Sequence, residues 1–408
     1  MDAVVTPYYA AMKLWTTVAG TGTPALRLPS ALAIAGTAIL VAVIGRRTGG
    51  ERTGLAGGLL FAAIPAVSRY AQEARPYAIA MFFAALALWC LLRIIARPAV
   101  GGAAGYAAAV AATGLAHPLG GLLMVAGHAL VVRRLRWWWA VPAAVGSVPA
   151  VLLAVAGAGQ SGQVSWIPVA DLNTWQGLPQ TVFGSAAIGG MVIVLAVLGV
   201  RWDPAFRVLA GAAFVPPVLL LMTGMVYPIW VARYVLVALA PMAVLAASGL
   251  LRAGRVRAGA VVALALLVSF PVQLELREPA GHAEDSTKIA QVIGPRYRPG
   301  DVAVFPDTHP SIPWAPRDIY QRYLPAPRPP DVLATRPQRA DGRLLARECP
   351  AAACLGDPPR IWVIRVDDAS DPLRNMAPGK RQRISRDYRA VSSWKYPLLS
   401  ITLLERRG

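Results

Sequence analysis

The acidic residues of this chain are distributed so unevenly that they divide it into two parts. The first 274 residues hold five carboxylates, whereas the remaining 134 residues hold sixteen. A water-soluble domain needs charged side chains on its surface, and the first part has too few to cover one. We therefore expect residues 1–274 to be embedded in a membrane and residues 275–408 to form a soluble domain.

The first part contains ten apolar segments that are typical of membrane helices, although several are shorter than the roughly 20 residues of a full span. They lie near residues 24–45, 53–68, 77–92, 99–116, 118–132, 139–157, 184–200, 205–224, 234–251 and 258–274. The sequence thus predicts an all-α polytopic membrane bundle of about ten transmembrane helices.

Arginines mark one side of this bundle. Thirteen of them lie in alternate connections, which read GRRTGGER, RIIARP, RRLRWWW, RWDPAFR and RAGRVR. The positive-inside rule places these connections in the cytoplasm, so the opposite connections and the C-terminal domain lie outside. Because the Ala-, Gly- and Arg-rich composition is typical of a GC-rich bacterium, we expect a multi-pass protein of the bacterial plasma membrane.

This orientation puts Met1 outside, with no preceding helix to carry it there. We expect an additional upstream helix and loop in the natural protein. Translocation of a short N-terminal tail is the alternative.

The formal charge of +19 raises the question of nucleic-acid binding. The arginines of the first part, however, cluster at the ends of apolar runs, where they act as an orientation signal. We therefore expect no nucleic-acid partner.

The C-terminal part alternates a predicted helix, DSTKIAQVIG, with the predicted strands DVAVF, IWVIRV and LLSITLL. This pattern indicates a small extracytoplasmic α/β domain. Cys349 and Cys354, in CPAAAC, are spaced to close a small disulfide loop if the domain is extracytoplasmic, with free thiols as the alternative. Cys90 lies in an apolar run and is predicted to be an inert thiol.

Polar side chains on the predicted outer side are the candidate functional groups. Charges at membrane depth are costly and usually serve a function. Guanidinium groups bind phosphate through two hydrogen bonds and stay charged when partly desolvated, so this side suits an anionic ligand. The outer side presents Asp2, Glu73 and Asp171 together with Arg27, Arg69, Arg75, Arg233, His117 and Tyr234.

Each of these residues also has a purely structural interpretation. Glu73 and Arg75 can pair to stabilise a tight loop, and Arg233 can mark a helix end that faces lipid headgroups. His117, which precedes Pro118, can cap a helix, and Asp171 can be the N-cap of a short helix.

Six stretches follow one another along the chain: DAVVTPYYAAMKLW at 2–15, ALRLPSALA at 25–33, SRYAQEARPYA at 68–78, AHPLG at 116–120, VSWIP at 164–168 and ARYVLVALAP at 232–241. In this order they resemble stretches of the GT-C membrane glycosyltransferases, particularly the protein O-mannosyltransferase-like branch, family 39. The first is similar to an Asp-containing outer loop, and the third is similar to a Gln-Glu-Ala-Arg-x-Tyr loop. Together they cover most of residues 2–250.

The resemblance implies a polyprenyl-phosphate-linked sugar as donor, an extracytoplasmic protein, lipid or glycan as acceptor, and an active site at the outer membrane face. It implies Asp2 as the base that deprotonates the acceptor and Glu73 as a residue that orients Arg75 or the acceptor. The implied donor-binding residues are Arg69, Arg75, Tyr77, His117, Arg233 and Tyr234. The sequence gives no support for a cofactor, although it does not exclude a divalent metal.

The chain departs from the family pattern in one respect. Family members carry an acidic Asp-Glu pair soon after their first helix, and this sequence begins too late to show it. An inactive membrane scaffold is therefore one alternative to an enzyme. A transporter or flippase of a lipid-linked or anionic substrate is another, although the chain shows no internal repeat of the kind common in transporters.

Overall fold

The computed structural model describes residues 3–130, 136–159, 166–306, 312–340, 343 and 345–408. The chain forms two compact units, which divide between Leu274 and Glu275. Each unit is described separately below.

The N-terminal unit is helical. Short 3-10 helices cover Ala3–Val5 and Ala232–Ala238. The α-helices are α1 (Thr6–Ala19), α2 (Thr23–Gly49), α3 (Glu51–Ala63), α4 (Pro65–Ala71), α5 (Tyr77–Ala96), α6 (Val100–Ala116), α7 (Pro118–Ala129), α8 (Arg136–Ala158), α9 (Leu172–Gln176), α10 (Leu178–Phe183), α11 (Ala186–Gly199), α12 (Pro204–Gly224), α13 (Leu239–Leu251) and α14 (Arg255–Glu275).

Among the described residues, six helices are long and apolar enough to cross a membrane, or seven if α3 and α4 together count as one bent span. Three shorter apolar helices, α6, α7 and α11, accompany them. Each of the ten apolar segments predicted from the sequence coincides with one of these helices or with the bent pair. The predicted polytopic helical bundle is confirmed.

Two local features differ from the sequence prediction. The predicted span at 53–68 is broken between α3 and α4, which meet at an angle of 70°. The break lies at Ile64, directly before Pro65, because the residue before a proline disfavours the helical conformation. Residues 2–15 were predicted as an outer loop, but most of that stretch is helix α1, which begins with Pro7 in its first turn.

Helix α13 is the centre of this unit. Every residue from Leu239 to Leu250 is buried, and the helix packs against α2, α3, α11 and α12. Glycines allow α11 to approach closely: a Cβ atom at Gly199 would lie 1.9 Å from the carbonyl oxygen of Leu245, and one at Gly249 would lie 2.2 Å from that of Leu195. Small residues at such crossings are typical of membrane helix pairs.

The C-terminal unit is an α/β domain. Its helices are α15 (Lys288–Ile293), α16 (Ala315–Tyr323) and α17 (Pro378–Asp387), with 3-10 helices at Gly294–Arg296 and Ala352–Leu355. Its strands are β1 (Val302–Val304), β2 (Ala334–Arg336), β3 (Arg347–Glu348), β4 (Arg360–Arg365), β5 (Tyr388–Tyr396) and β6 (Leu399–Arg406). The small C-terminal α/β domain predicted from the sequence is confirmed. Its predicted helix and strands overlap α15, β1, β4 and β6.

Strands β1, β4, β6 and β5 form one sheet in that order, in which β1 and β4 are parallel and the other pairs antiparallel. The central strand β4 is buried throughout. Its residues Trp362 and Ile364 join one hydrophobic cluster, and Ile361 and Val363 join another. The sheet therefore has a hydrophobic core on each face, because successive strand residues point to opposite sides.

A buried ion pair joins the beginnings of the two parallel strands. Arg360 donates from Nε and Nη2 to the two carboxylate oxygens of Asp301, at 2.7 and 2.6 Å, and Trp362 Nε1 donates to the same carboxylate at 2.9 Å. The structure also joins Cys349 and Cys354 in a disulfide bond, and Cys90 is a buried free thiol.

Candidate active site

The candidate site lies in the N-terminal unit, where several helix ends meet. Helix α4 ends at Ala71, and a short turn leads to Tyr77 at the start of α5. His117 separates α6 from α7, because Pro118 begins a new helix. Arg233 lies in the 3-10 helix that precedes α13. Helix ends leave backbone groups unpaired and allow the chain to change direction, so polar side chains gather there.

Glu73 is the anchor of the turn between α4 and α5. Its Oε1 accepts a hydrogen bond from Arg69 Nε at 3.0 Å, and its Oε2 lies 3.7 Å from Arg75 Nε. The backbone carbonyl of Glu73 accepts from Ser30 Oγ of α2 at 2.7 Å, which ties the turn to a membrane helix. The Glu73 side chain is 15% exposed, against 44% for Arg69 and 56% for Arg75. The two guanidinium groups therefore reach outward from a shielded carboxylate.

Arg233 has different surroundings. Its Nε donates to the Tyr77 hydroxyl at 2.8 Å, and its guanidinium carbon lies 5.9 Å from the ring centre of Tyr77, 5.4 Å from that of Trp166 and 5.7 Å from that of Tyr234. Within the described part of the chain, no carboxylate forms an ion pair with Arg233. The aromatic rings stabilise the cation without neutralising it, which leaves its charge available to a ligand.

His117 supports the aromatic side of the site. It is buried, and its Nδ1 accepts a hydrogen bond from the backbone N–H of Gly120 at 2.9 Å, which caps α7. A neutral imidazole in this arrangement carries its proton on Nε2. The ring centre lies 5.4 Å from that of Tyr77 and 4.8 Å from that of Tyr234. His117 therefore packs against both of the tyrosine rings that lie beside Arg233.

Tyr70 connects the two groups of charges. Its ring centre lies 5.5 Å from that of Tyr77, and it lies within electrostatic range of Glu73, Arg69 and Arg233. The cluster of Arg69, Glu73 and Arg75 and the aromatic-enclosed Arg233 are thus parts of one polar region.

The structure brings together seven of the residues singled out in the sequence. They are Glu73, Arg69, Arg75, Tyr77, His117, Arg233 and Tyr234. Asp2, which the sequence analysis named as the base, lies outside the described residues. The site is defined by these contacts between side chains.

Three residues of this region were absent from the predicted site: Ser30, Tyr70 and Trp166. All three lie within the stretches that carry the family resemblance, and that was the signal that could have identified them. Two structural interpretations also hold: Glu73 pairs with arginines, and His117 caps a helix. In both cases the structural contact also orients a polar group of the site.

Asp171 serves a separate, structural purpose. Its Oδ1 accepts from the Thr174 backbone N–H at 2.8 Å, and the Thr174 hydroxyl completes a capping box at the start of α9. The backbone hydrogen bond from Thr174 is the main reason that the pKa of the Asp171 carboxyl is lowered. Among the residues that the structure describes, no three His, Cys, Asp or Glu side chains are grouped to hold a metal ion.

Comparison with known proteins agrees with this architecture. Residues 5–158 match the family model described as dolichyl-phosphate-mannose-protein mannosyltransferase. ArnT from Cupriavidus metallidurans in the apo state superimposes on 97% of this chain and 87% of its own, with a TM-score of 0.63 and 14% identity. The same protein bound to undecaprenyl phosphate gives a TM-score of 0.57 with the same coverage and identity. No curated protein matches the sequence.

The chain has the same fold as ArnT. The resemblance to GT-C membrane glycosyltransferases that the sequence indicated is therefore confirmed. The family-model match covers α1 to α8, which include the Glu73 turn, Tyr77 and His117 but not Arg233.

Proposed function

We propose that this protein is an integral membrane glycosyltransferase that moves a sugar from a polyprenyl phosphate to an extracytoplasmic acceptor. The observation that carries the proposal is the state of Arg233: a guanidinium held by a tyrosine hydroxyl and aromatic rings, with no carboxylate among its described neighbours. A cation held in this way suits an anionic ligand. The GT-C fold and the mannosyltransferase family match make a lipid-linked sugar phosphate the best candidate.

Arg233 is suited to the donor phosphate. Its Nε donates to Tyr77, and its terminal N–H groups form no hydrogen bond with another described residue. These groups can therefore form the paired hydrogen bonds that guanidinium makes with phosphate oxygens. Arginine keeps its charge when partly desolvated, as a site at the edge of the bilayer requires. The rings of Tyr234, Tyr77 and His117 would form the aromatic wall of this site.

The Glu73 cluster is suited to positioning. Among the described residues of this region, Arg69, Arg75 and Arg233 outnumber the one carboxylate, Glu73, by two charges. Arg75 and Arg69 would contact the phosphate on the side opposite Arg233. Glu73 would hold these two arginines in place, since each of its carboxylate oxygens faces one of the guanidinium groups. For the same reason Glu73 is poorly placed to abstract a proton.

The chemical step follows from these roles. The acceptor hydroxyl oxygen forms a bond to the anomeric carbon as the bond from that carbon to the phosphate oxygen breaks, with inversion. The acceptor proton passes to a base, for which we propose Asp2. The departing polyprenyl phosphate gains one negative charge, which the arginines stabilise more strongly in the transition state than in the bound donor.

The arginine distribution of the sequence supports an outer location for this chemistry. The positive-inside rule assigns the arginine-rich connections to the cytoplasm, so we propose that the site and the C-terminal unit face the exterior. Mannose is the proposed sugar on the strength of the family model's description. ArnT with bound undecaprenyl phosphate supports a polyprenyl carrier. The acceptor is proposed to be a protein, lipid or glycan of the cell envelope.

Transfer from labelled polyprenyl-phosphate sugars tests the proposal in proteoliposomes of the full chain. We expect transfer that is lost in Arg233→Ala and strongly reduced in Arg75→Ala. Arg97→Ala is the matched control, because Arg97 is exposed and lies outside the site. Unchanged transfer after Arg233→Ala would remove the assigned role, and substrate flux without a covalent product would indicate a transporter instead.

A further inference from the structure

The break between α3 and α4 leaves a backbone carbonyl group without its usual helical partner. In a continuous helix the carbonyl oxygen of Ala62 would accept from the backbone N–H of Ala66. Helix α3 ends at Ala63 and α4 turns away from it by 70°, and this bond is missing among the hydrogen bonds of the described residues. Ala62 is exposed on the surface of the bundle. An unpaired carbonyl at membrane depth is costly, so another group must supply the donor.

Gln273, in the last turn of α14, contacts both sides of this break. Its Nε2 donates to the carbonyl oxygen of Ala62 at 3.0 Å, and its Oε1 accepts from the hydroxyl group of Ser68 in α4. The amide has only one favourable orientation, because turning it over would set its oxygen against the Ala62 carbonyl oxygen. One side chain thus binds the end of α3 and the middle of α4, at residues 211 and 205 positions away in the chain.

The place of Gln273 on its own helix indicates that these contacts are specific. The buried residues of α14 are Ala258, Val262, Ala265 and Ser269, which follow one another at spacings of three and four. Such spacings define one face of a helix, and Gln273 continues the series by four. The packing face of a membrane helix is normally apolar or small, and a glutamine there is costly unless its polar atoms are bonded. Both polar atoms of Gln273 have partners at the break.

Helix α4 leads directly into the positive cluster of the candidate active site. It contains Arg69, whose Nε donates to Glu73 Oε1, and it ends two residues before Glu73. The helix has seven residues, which are too few to hold a helix in place without packing against other elements. Ser30 holds the turn after α4 through the carbonyl oxygen of Glu73, and Gln273 holds α4 itself.

We propose that Gln273 is a positioning residue of the transferase site. Its two hydrogen bonds fix α4 at the break and thereby set where Arg69 and Glu73 lie. Gln273 acts through these residues, and we assign it no contact with the donor or the acceptor. The role in transfer rests on the proposed function, whereas the effect of Gln273 on α4 is measurable without activity.

Hydrogen–deuterium exchange of the full chain in detergent measures the effect on α4. Gln273→Leu removes both hydrogen bonds and keeps a side chain of similar size, so the amides of residues 66–75 should exchange about fivefold faster or more. Ser68→Ala removes one of the two bonds and should give a smaller increase. Leu274→Ala is the matched control, because Leu274 lies in the same helical turn with an exposed side chain, and it should exchange as the natural protein does.

Unchanged exchange of residues 66–75 in Gln273→Leu would overturn the proposal. If that variant does not fold, unchanged exchange in Ser68→Ala would overturn it instead.

Transfer kinetics in proteoliposomes measure the positioning role. In Gln273→Leu we expect kcat to fall about fivefold or more and the KM for the donor to stay within about twofold, because the arginines act mainly on charge that develops as the sugar departs. The double variant Ser68→Ala/Gln273→Leu should be no slower than Gln273→Leu, since Ser68 acts through Gln273.

Three kinetic outcomes would be decisive against an assignment. An unchanged kcat in Gln273→Leu, or an equal loss in Leu274→Ala, would refute the positioning role. Absence of transfer by the natural protein would refute the proposed enzyme, and the exchange of residues 66–75 would still decide whether Gln273 holds α4.

Discussion

Replacing Tyr77 by phenylalanine removes a single oxygen atom from the candidate site. That oxygen accepts the hydrogen bond from Arg233 Nε at 2.8 Å, and the two residues are 156 positions apart in the chain. The phenylalanine ring keeps its contacts with His117, with Tyr70 and with the Arg233 cation. The change therefore tests the orientation of the guanidinium while its charge and most of its packing stay the same.

The expected size of the effect follows from that one contact. A hydrogen bond to a charged group contributes about 1.5–3 kcal/mol. Each 1.4 kcal/mol corresponds to a factor of about ten, so losing the bond predicts a transfer rate about tenfold to a hundredfold lower. Because the phosphate gains charge as the sugar departs, we expect the loss mainly in kcat and less in the KM for the donor.

Initial transfer rates at varied donor concentration measure both constants. Tyr9→Phe is the matched control, because Tyr9 is mostly exposed and makes no contact with Arg233. Thermal unfolding of each variant separates loss of activity from loss of fold. Wild-type kinetics in Tyr77→Phe would refute the idea that this hydroxyl orients Arg233 for catalysis.

Three predictions concern stability. Gly249→Ala should lower the melting temperature of the detergent-solubilised protein, since overpacking costs about 1–3 kcal/mol of stability. Gly259→Ala should not lower it, because a Cβ atom there would meet open space. Equal melting temperatures of the two variants would contradict the close helix contact. Asp301→Ala removes the carboxylate partner of the buried Arg360 guanidinium, which should lower the free energy of unfolding by about 3–5 kcal/mol and speed up hydrogen exchange of the β1 and β4 amides. Asp371→Ala, which breaks an exposed ion pair, is the comparison. Slow exchange in both variants would contradict the prediction. Burial opposes ionisation of Glu348, but hydrogen bonds from Lys380 and Arg317 outweigh burial and lower its pKa below the usual range for glutamate. The ionised carboxylate therefore contributes its full stabilisation above the pKa of an unfolded glutamate, and this contribution is lost as the pH falls through the lower pKa of the folded state. Glu348→Gln should lose less stability on acidification than the natural protein, which acid unfolding measures.

The positions of the membrane helices could be predicted from the sequence because hydropathy is a local property. Each of the ten apolar runs is a helix or, at 53–68, a pair of helices broken before Pro65. The α/β character of the C-terminal unit was equally visible in its strand patterns. Strand β5 was not, since its residues are mostly exposed and lack the apolar alternation of β6.

The composition of the candidate site was partly visible as well. Polar residues in an apolar bundle are few, so Glu73, Arg75, Arg233 and His117 could be selected without coordinates. The sequence could not tell which arginines a carboxylate neutralises. In the structure Glu73 faces Arg69 and Arg75, while Arg233 is surrounded by aromatic rings.

The sequence by itself thus determined where the chain enters an apolar phase, where it becomes a soluble domain and which side chains were candidates for function. Only the tertiary structure decided that Tyr77 and Trp166 meet Arg233, because contacts between distant segments depend on how helices pack and not on local hydropathy.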